Sequence, residues 1–69
     1  MDKNKKDKIC QTIVQILQEY NVASIDKYEA MDEEIVSELY ESLKAGVLEE
    51  FKLSYEELEE IFDEVLEGL

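Results

Sequence analysis

The sequence predicts an all-α fold, a small bundle of three main amphipathic helices with one or two short helical turns between them. Three observations carry this. Apolar residues recur at helical spacing in three separate stretches. No stretch alternates apolar and polar residues as a half-buried strand does. The 69 residues contain no proline to interrupt a helix.

In the first stretch Ile9, Cys10, Ile13, Val14, Ile16, Leu17 and Tyr20 share one face, and Gln11, Thr12, Gln15, Gln18 and Glu19 the other. This predicts a helix over 4–20. Asn21 follows it, and asparagine tolerates the left-handed conformation that ends helices. Residues 22–31 admit two readings. One is a short helical turn capped by Ser24 that carries Ile25 and Tyr28 inward; the other is a loop anchored by the same two side chains.

The second helix has a clear start. Asp32 suits the N-cap, Glu33 and Glu34 suit the positive end of the helix dipole, and Met31 and Val36 are spaced as a hydrophobic staple. Its stripe is Ile35, Val36, Leu39, Tyr40 and Leu43. Continued through Gly46, a regular helix would carry Val47 and Phe51 round the stripe and turn Leu48 to the opposite side. A break near Gly46 with a short helical piece at 47–52 is therefore preferred to a kinked continuous helix.

The third helix has the strongest start signal. Ser54-Tyr55-Glu56-Glu57 is a capping box, with Leu53 and Leu58 placed as its staple. Tyr55, Leu58, Ile61, Phe62, Val65, Leu66 and Leu69 then occupy one arc. Glu56, Glu57, Glu59, Glu60, Asp63, Glu64 and Glu67 occupy the other.

A chain of this length makes one domain, and the reading divides it into a flexible basic lead-in over 1–8, able to join the first helix, and a single helical domain over 9–69. Such a chain buries only about 60% of the surface exposed when unfolded, so stability is expected to be small. Two arrangements remain open. The three apolar stripes fill one monomeric core, or the broad stripe of the last helix is shared in a homodimer.

Composition narrows the function. Cys10 is the single cysteine, so no internal disulfide forms, and a reducing, cytoplasmic setting is expected. No apolar run is long enough to span a membrane, and the charged start does not read as a signal peptide. Without histidine or arginine, the chain lacks the commonest general base and the best bidentate grip on phosphate. Net charge is −12, unevenly spread. Residues 1–8 hold Lys3, Lys5, Lys6 and Lys8 against Asp2 and Asp7, whereas the other 17 acids face only Lys27, Lys44 and Lys52. An acidic body of this kind repels nucleic acid and anionic membrane and favours basic proteins.

The acidic face of the last helix is the most informative feature. Seven acids fall in the fifteen residues from Tyr55 to Leu69, with no base among them. Glu56–Glu60, Glu59–Asp63, Glu60–Glu64 and Asp63–Glu67 are like-charge pairs one turn apart, each costing an isolated helix roughly 0.2–0.5 kcal/mol. The face reads either as a solvated surface that keeps the chain in solution or as a docking surface for a basic, possibly nucleic-acid-binding, partner protein. In the second reading Glu56, Glu57, Glu59, Glu60, Asp63, Glu64 and Glu67 make the contacts, with Tyr28 and Tyr55 as aromatic anchors beside the loops. Tyr20 and Tyr40 read as core-edge residues. Carboxylates repeating along a rod can imitate a line of phosphates, which suits an inhibitor or regulator.

Other chemistries find less in the sequence. The calcium-loop pattern is absent, and a Glu-x-x-His di-iron site needs histidine, so no metal or other cofactor is expected. Paired acids on an exposed helix lack the two contrasting environments of a glycosidase cleft. Cys10 has no histidine to activate it and lies on the apolar face. No enzyme activity is expected. Leu48-Glu49-Glu50-Phe51 resembles a segment after the second helix of acyl carrier proteins. That resemblance implies a phosphopantetheine-bearing serine near Ser37. The Asp-Ser-Leu motif of that family is not present, since Ser37 lies in Val36-Ser37-Glu38 and Ser42 in Glu41-Ser42-Leu43.

Overall fold

The computed structural model describes residues 2–69, and among them every regular element is helical. The elements are α1 (Lys3–Glu19), α2 (Ile25–Glu29), α3 (Glu33–Leu43), a π-helical turn (Lys44–Leu48), α4 (Glu49–Phe51) and α5 (Tyr55–Glu67). The expected bundle is present. Its three long members are α1, the joined run α3–π–α4, and α5.

Lys3–Lys8, read from the sequence as a lead-in, form the first turns of α1. Asp2 caps that end, its carboxylate accepting from the Asn4 N–H at 3.3 Å. The other end closes as expected at Asn21, which has φ 60°. There the Val22 N–H donates to the Leu17 carbonyl at 2.9 Å and the Asn21 N–H to that of Gln18 at 3.0 Å. These are the two bonds of a Schellman stop, and the buried side chains of Leu17 and Val22 accompany it.

Of the two readings for residues 22–31, the helical turn is the one adopted, with the Ser24 hydroxyl accepting from the Lys27 N–H. Tyr28 points inward as expected, but Ile25 remains 40% exposed. Asp32 holds the N-cap position of α3 through its backbone and makes no side-chain cap bond.

The preferred break at Gly46 is not found. The chain stays helical from Glu33 to Phe51 by widening one turn, in which the Glu49 N–H donates back to the Lys44 carbonyl. A wide turn takes up an extra residue and shifts the phase of the face beyond it. That removes the mismatch a regular helix would have had. Leu39, Leu43 and Val47 are all fully buried, and Leu48 and Phe51 pack against the core. Gly46 is helical and lies against α1; a methyl group there would sit 3.4 Å from Ile16 Cδ1. The stop comes instead at Lys52, left-handed at φ 55°, with the Leu53 N–H donating to the Leu48 carbonyl.

Helix α1 runs antiparallel to α3–π–α4. Tyr20 meets Ser42 through their hydroxyls at 3.1 Å, Ile16 meets Gly46, and Lys5 and Lys8 lie near Phe51. Helix α5 begins with the expected capping box. The Ser54 hydroxyl accepts from the Glu57 N–H, and the Glu57 carboxylate accepts from the Ser54 N–H, both at 3.2 Å. Its Leu58, Ile61, Phe62, Val65 and Leu66 close the core against Ile9, Ile13, Leu17, Leu39 and Leu43. Phe62 is the hub. The rings of Tyr28 and Tyr40 meet it edge-on at 5.4 and 5.9 Å between centroids. No charged or polar residue is buried among the described residues.

Two substitutions test this packing in chemical denaturation followed by circular dichroism. Phe62→Ala is expected to cost about 3–5 kcal/mol, a large share of the stability of so small a domain. Lys52→Gly is expected to stabilise by about 0.5–1 kcal/mol, the relief of left-handed strain less the extra backbone entropy of glycine.

Candidate functional site

The acidic arc of α5 is exposed because its apolar arc is not. With Leu58, Ile61, Phe62, Val65 and Leu66 facing inward, the helical period turns every carboxylate of α5 outward. Glu56, Glu57, Glu59, Glu60, Asp63, Glu64 and Glu67 are all exposed. Each can reach solvent or a second molecule, but their surroundings within the chain differ.

Two are engaged internally. Glu57 belongs to the capping box. Glu64 forms an ion pair with Lys6 of α1, Nζ to Oε2 at 2.9 Å. These two residues lie 58 apart in the sequence, and only the packing of α1 beside α5 brings them together. Hydrogen bonding to Glu64, then its charge, raises the Lys6 ammonium above its ordinary value. Both side chains remain largely in water, so the pair adds little to stability. The same flank is a shallow cleft lined by Lys6, Glu57, Glu60 and Ile61.

The opposite flank is aromatic. Burial, and then the nearby charge of Asp63, raises the Tyr28 hydroxyl above its ordinary value. Burial, then Glu59, raises that of Tyr40. Tyr28 is half-buried, with its ring against Phe62. Tyr55 is 61% exposed at the start of α5, with the Lys44 ammonium 5.8 Å from the centre of its ring. It is the more accessible of the two expected anchors. Tyr20 and Tyr40 sit at the core edge, as expected.

Glu56, Glu59, Glu60, Asp63 and Glu67 form no ion pair among the described residues; besides Lys6–Glu64, the ion pair found there is Lys44–Glu41, at 3.6 Å. The arc therefore presents these five carboxylates within about three turns of helix, without compensating charge from the chain.

The other candidate groups are dispersed. Cys10 is a half-buried free thiol, and burial pushes its pKa up. Among the described residues no three His, Cys, Asp or Glu side chains are placed to hold a metal ion. Ser37 lies in the second turn of α3, exposed, and the Ser42 hydroxyl is bonded to Tyr20. Phe62 and Leu66, which a dimer seam along α5 would use, are buried in the core. The large apolar side chains left exposed are Ile25, Ile35, Tyr55 and Leu69, although the sequence pattern places Ile25 inward and the other three on apolar stripes. No described helix is long and apolar enough to cross a membrane. Comparison with protein-family models, curated proteins and solved structures gives no match.

The groups whose titration departs from the ordinary, Lys6, Cys10, Tyr28 and Tyr40, are all raised. The folded chain holds these protons more tightly than the unfolded chain. Stability linked to them is complete below their unfolded values and is lost as pH rises through the folded ones. Unfolding free energy measured in urea is therefore expected to fall from about pH 9 upward, where unfolded thiol and phenol groups begin to ionise. Tyr28→Phe should make that fall shallower. An unchanged pH slope would remove Tyr28 as a contributor.

Proposed function

We propose that this chain is a binding module, without catalytic activity, that docks the carboxylate arc of α5 on a basic partner protein and thereby inhibits or regulates it. The observation that carries this reading is the set of Glu56, Glu59, Glu60, Asp63 and Glu67, exposed on one rigid helix and unpaired within the chain. Like charges held one turn apart oppose helix formation, and a lysine-rich groove relieves that repulsion on contact. Regular spacing along a rod suits a groove that otherwise follows a phosphate backbone. Tyr55, exposed at the head of the same helix, supplies an aromatic contact at the edge of the arc. Glu57 and Glu64 have secondary roles, since each already has a partner.

Assembly through an apolar seam on α5 has less support, because Phe62 and Leu66 would have to leave the core. A carrier role also has less support, since neither Ser37 nor Ser42 begins a helix.

The test compares two variants of equal charge change, with partners captured from the native host. Glu56→Gln, Glu60→Gln, Asp63→Asn and Glu67→Gln together should abolish capture and raise the melting temperature. Glu29→Gln, Glu33→Gln, Glu34→Gln and Glu38→Gln, placed on α2 and α3, should leave capture intact. Affinity for the captured protein should weaken at least about tenfold as ionic strength rises from roughly 0.05 to 0.5 M. Equal losses in both variants would reduce the effect to bulk charge, and retained capture in the first would end the proposal.

A further inference from the structure

At the end of the bundle where α1 begins and α4 stops, the local charge runs against that of the molecule. Lys5 and Lys8, three residues apart on α1, and Lys52, from the turn before α5, line a cleft of about 390 Å³ together with Phe51. All three lysines are exposed, and none forms an ion pair among the described residues. Asp2 and Glu50 also line the cleft. The Asp2 carboxylate is turned to the Asn4 N–H as the cap of α1.

Lys52 carries a second indication. The turn it occupies needs a left-handed residue, and the equivalent turn after α1 uses asparagine, which adopts that conformation at lower cost. A lysine at this position strains the backbone and stands in the lining of the cleft. Strain kept where a cheaper residue exists points to a use for the side chain.

The chemistry of the cleft selects among anions. The chain has no arginine fork to grip an anion through two parallel bonds, so recognition here rests on lysines acting as point charges. Three separate ammonium groups on flexible stems, approaching from different parts of the chain, suit the oxygens of a tetrahedral phosphoryl group. The volume admits a small molecule, and the carboxylates of Asp2 and Glu50 in the same lining disfavour an extended polyanion. The half-buried Phe51 ring offers an apolar surface to whatever the phosphoryl group is attached to.

We propose that the cleft formed by Lys5, Lys8, Phe51 and Lys52 binds a small organic phosphate monoester, the three lysines holding the phosphoryl oxygens and Phe51 the organic group. The site is separate from the carboxylate arc, and it stands or falls independently of the docking role of α5.

The experiment is a titration of the isotopically labelled full chain with phenyl phosphate, inorganic phosphate and phenol, followed by amide chemical shifts. Phenyl phosphate should give saturable shifts centred on Lys5, Lys8, Phe51 and Lys52, at lower concentration than inorganic phosphate, and phenol should give none. Lys52→Gly keeps the turn and should weaken phenyl phosphate binding several-fold. Lys5→Gln, Lys8→Gln and Lys52→Gly together should weaken it at least about tenfold, a loss of about 1.4 kcal/mol. Lys27→Gln, a charge loss outside the cleft, should change nothing. Non-saturating shifts, an equal loss in Lys27→Gln, or affinity retained in the triple variant would overturn the proposal. Equal affinities for phenyl phosphate and inorganic phosphate would overturn it as well, by removing the role of Phe51.

Discussion

Burial of one apolar stripe, that of α5 around Phe62, is the constraint on which the rest of the structure depends. The chain has no disulfide to hold it, and its core contains no buried polar group to specify an arrangement. Stability must come from apolar side chains removed from water. Phe62 concentrates that burial, because α2 and α3 each send a tyrosine ring edge-on against it. With the stripe fixed inward, helical geometry leaves the carboxylates of α5 no choice but solvent.

The charged surface is therefore a consequence of the core as well as a candidate for function. The long helices divide their surroundings sharply. Toward α1 the acidic arc meets Lys6, which neutralises one carboxylate at its edge. Toward α3 it meets two phenols, whose protons become harder to remove. Between these flanks the carboxylates remain uncompensated, and there the proposed docking surface lies. Lys5 and Lys8, by contrast, line a cleft with Lys52 at the end of the bundle. One small chain thus presents two surfaces of opposite local sign.

Much of this was legible from local signals. The Ser54–Glu57 capping box, the Asn21 stop and the inward stripe of α5 depend on residues within a turn of each other, and each was found where the pattern placed it. The misreadings have a common cause. Gly46 looks like a stop because glycine so often is one, yet packing of α3–π–α4 along α1 favours continuing the helix through a wide turn that rephases Val47. Lys52 carries no composition signal for a helix end. Ile35 and Leu69 fit their stripes but lie where no neighbouring helix covers them. Tyr28 was placed inward by the local pattern, but its ring partner, Phe62, is distant in sequence and no local signal names it.

By itself the sequence determined the all-helical class, the positions of the three long amphipathic segments, the Asn21 stop and the Ser54 capping box, and the segregation of acid from apolar on the last of them. These follow from interactions spanning three or four residues, where periodicity and side-chain type suffice. The tertiary structure alone decided which acids acquire partners, which tyrosines are covered, that the middle run stays continuous, and that Lys5, Lys8 and Lys52 share a cleft. Each of these depends on the direction in which one helix crosses another, and that direction is chosen by the total apolar surface buried, a quantity no local pattern contains.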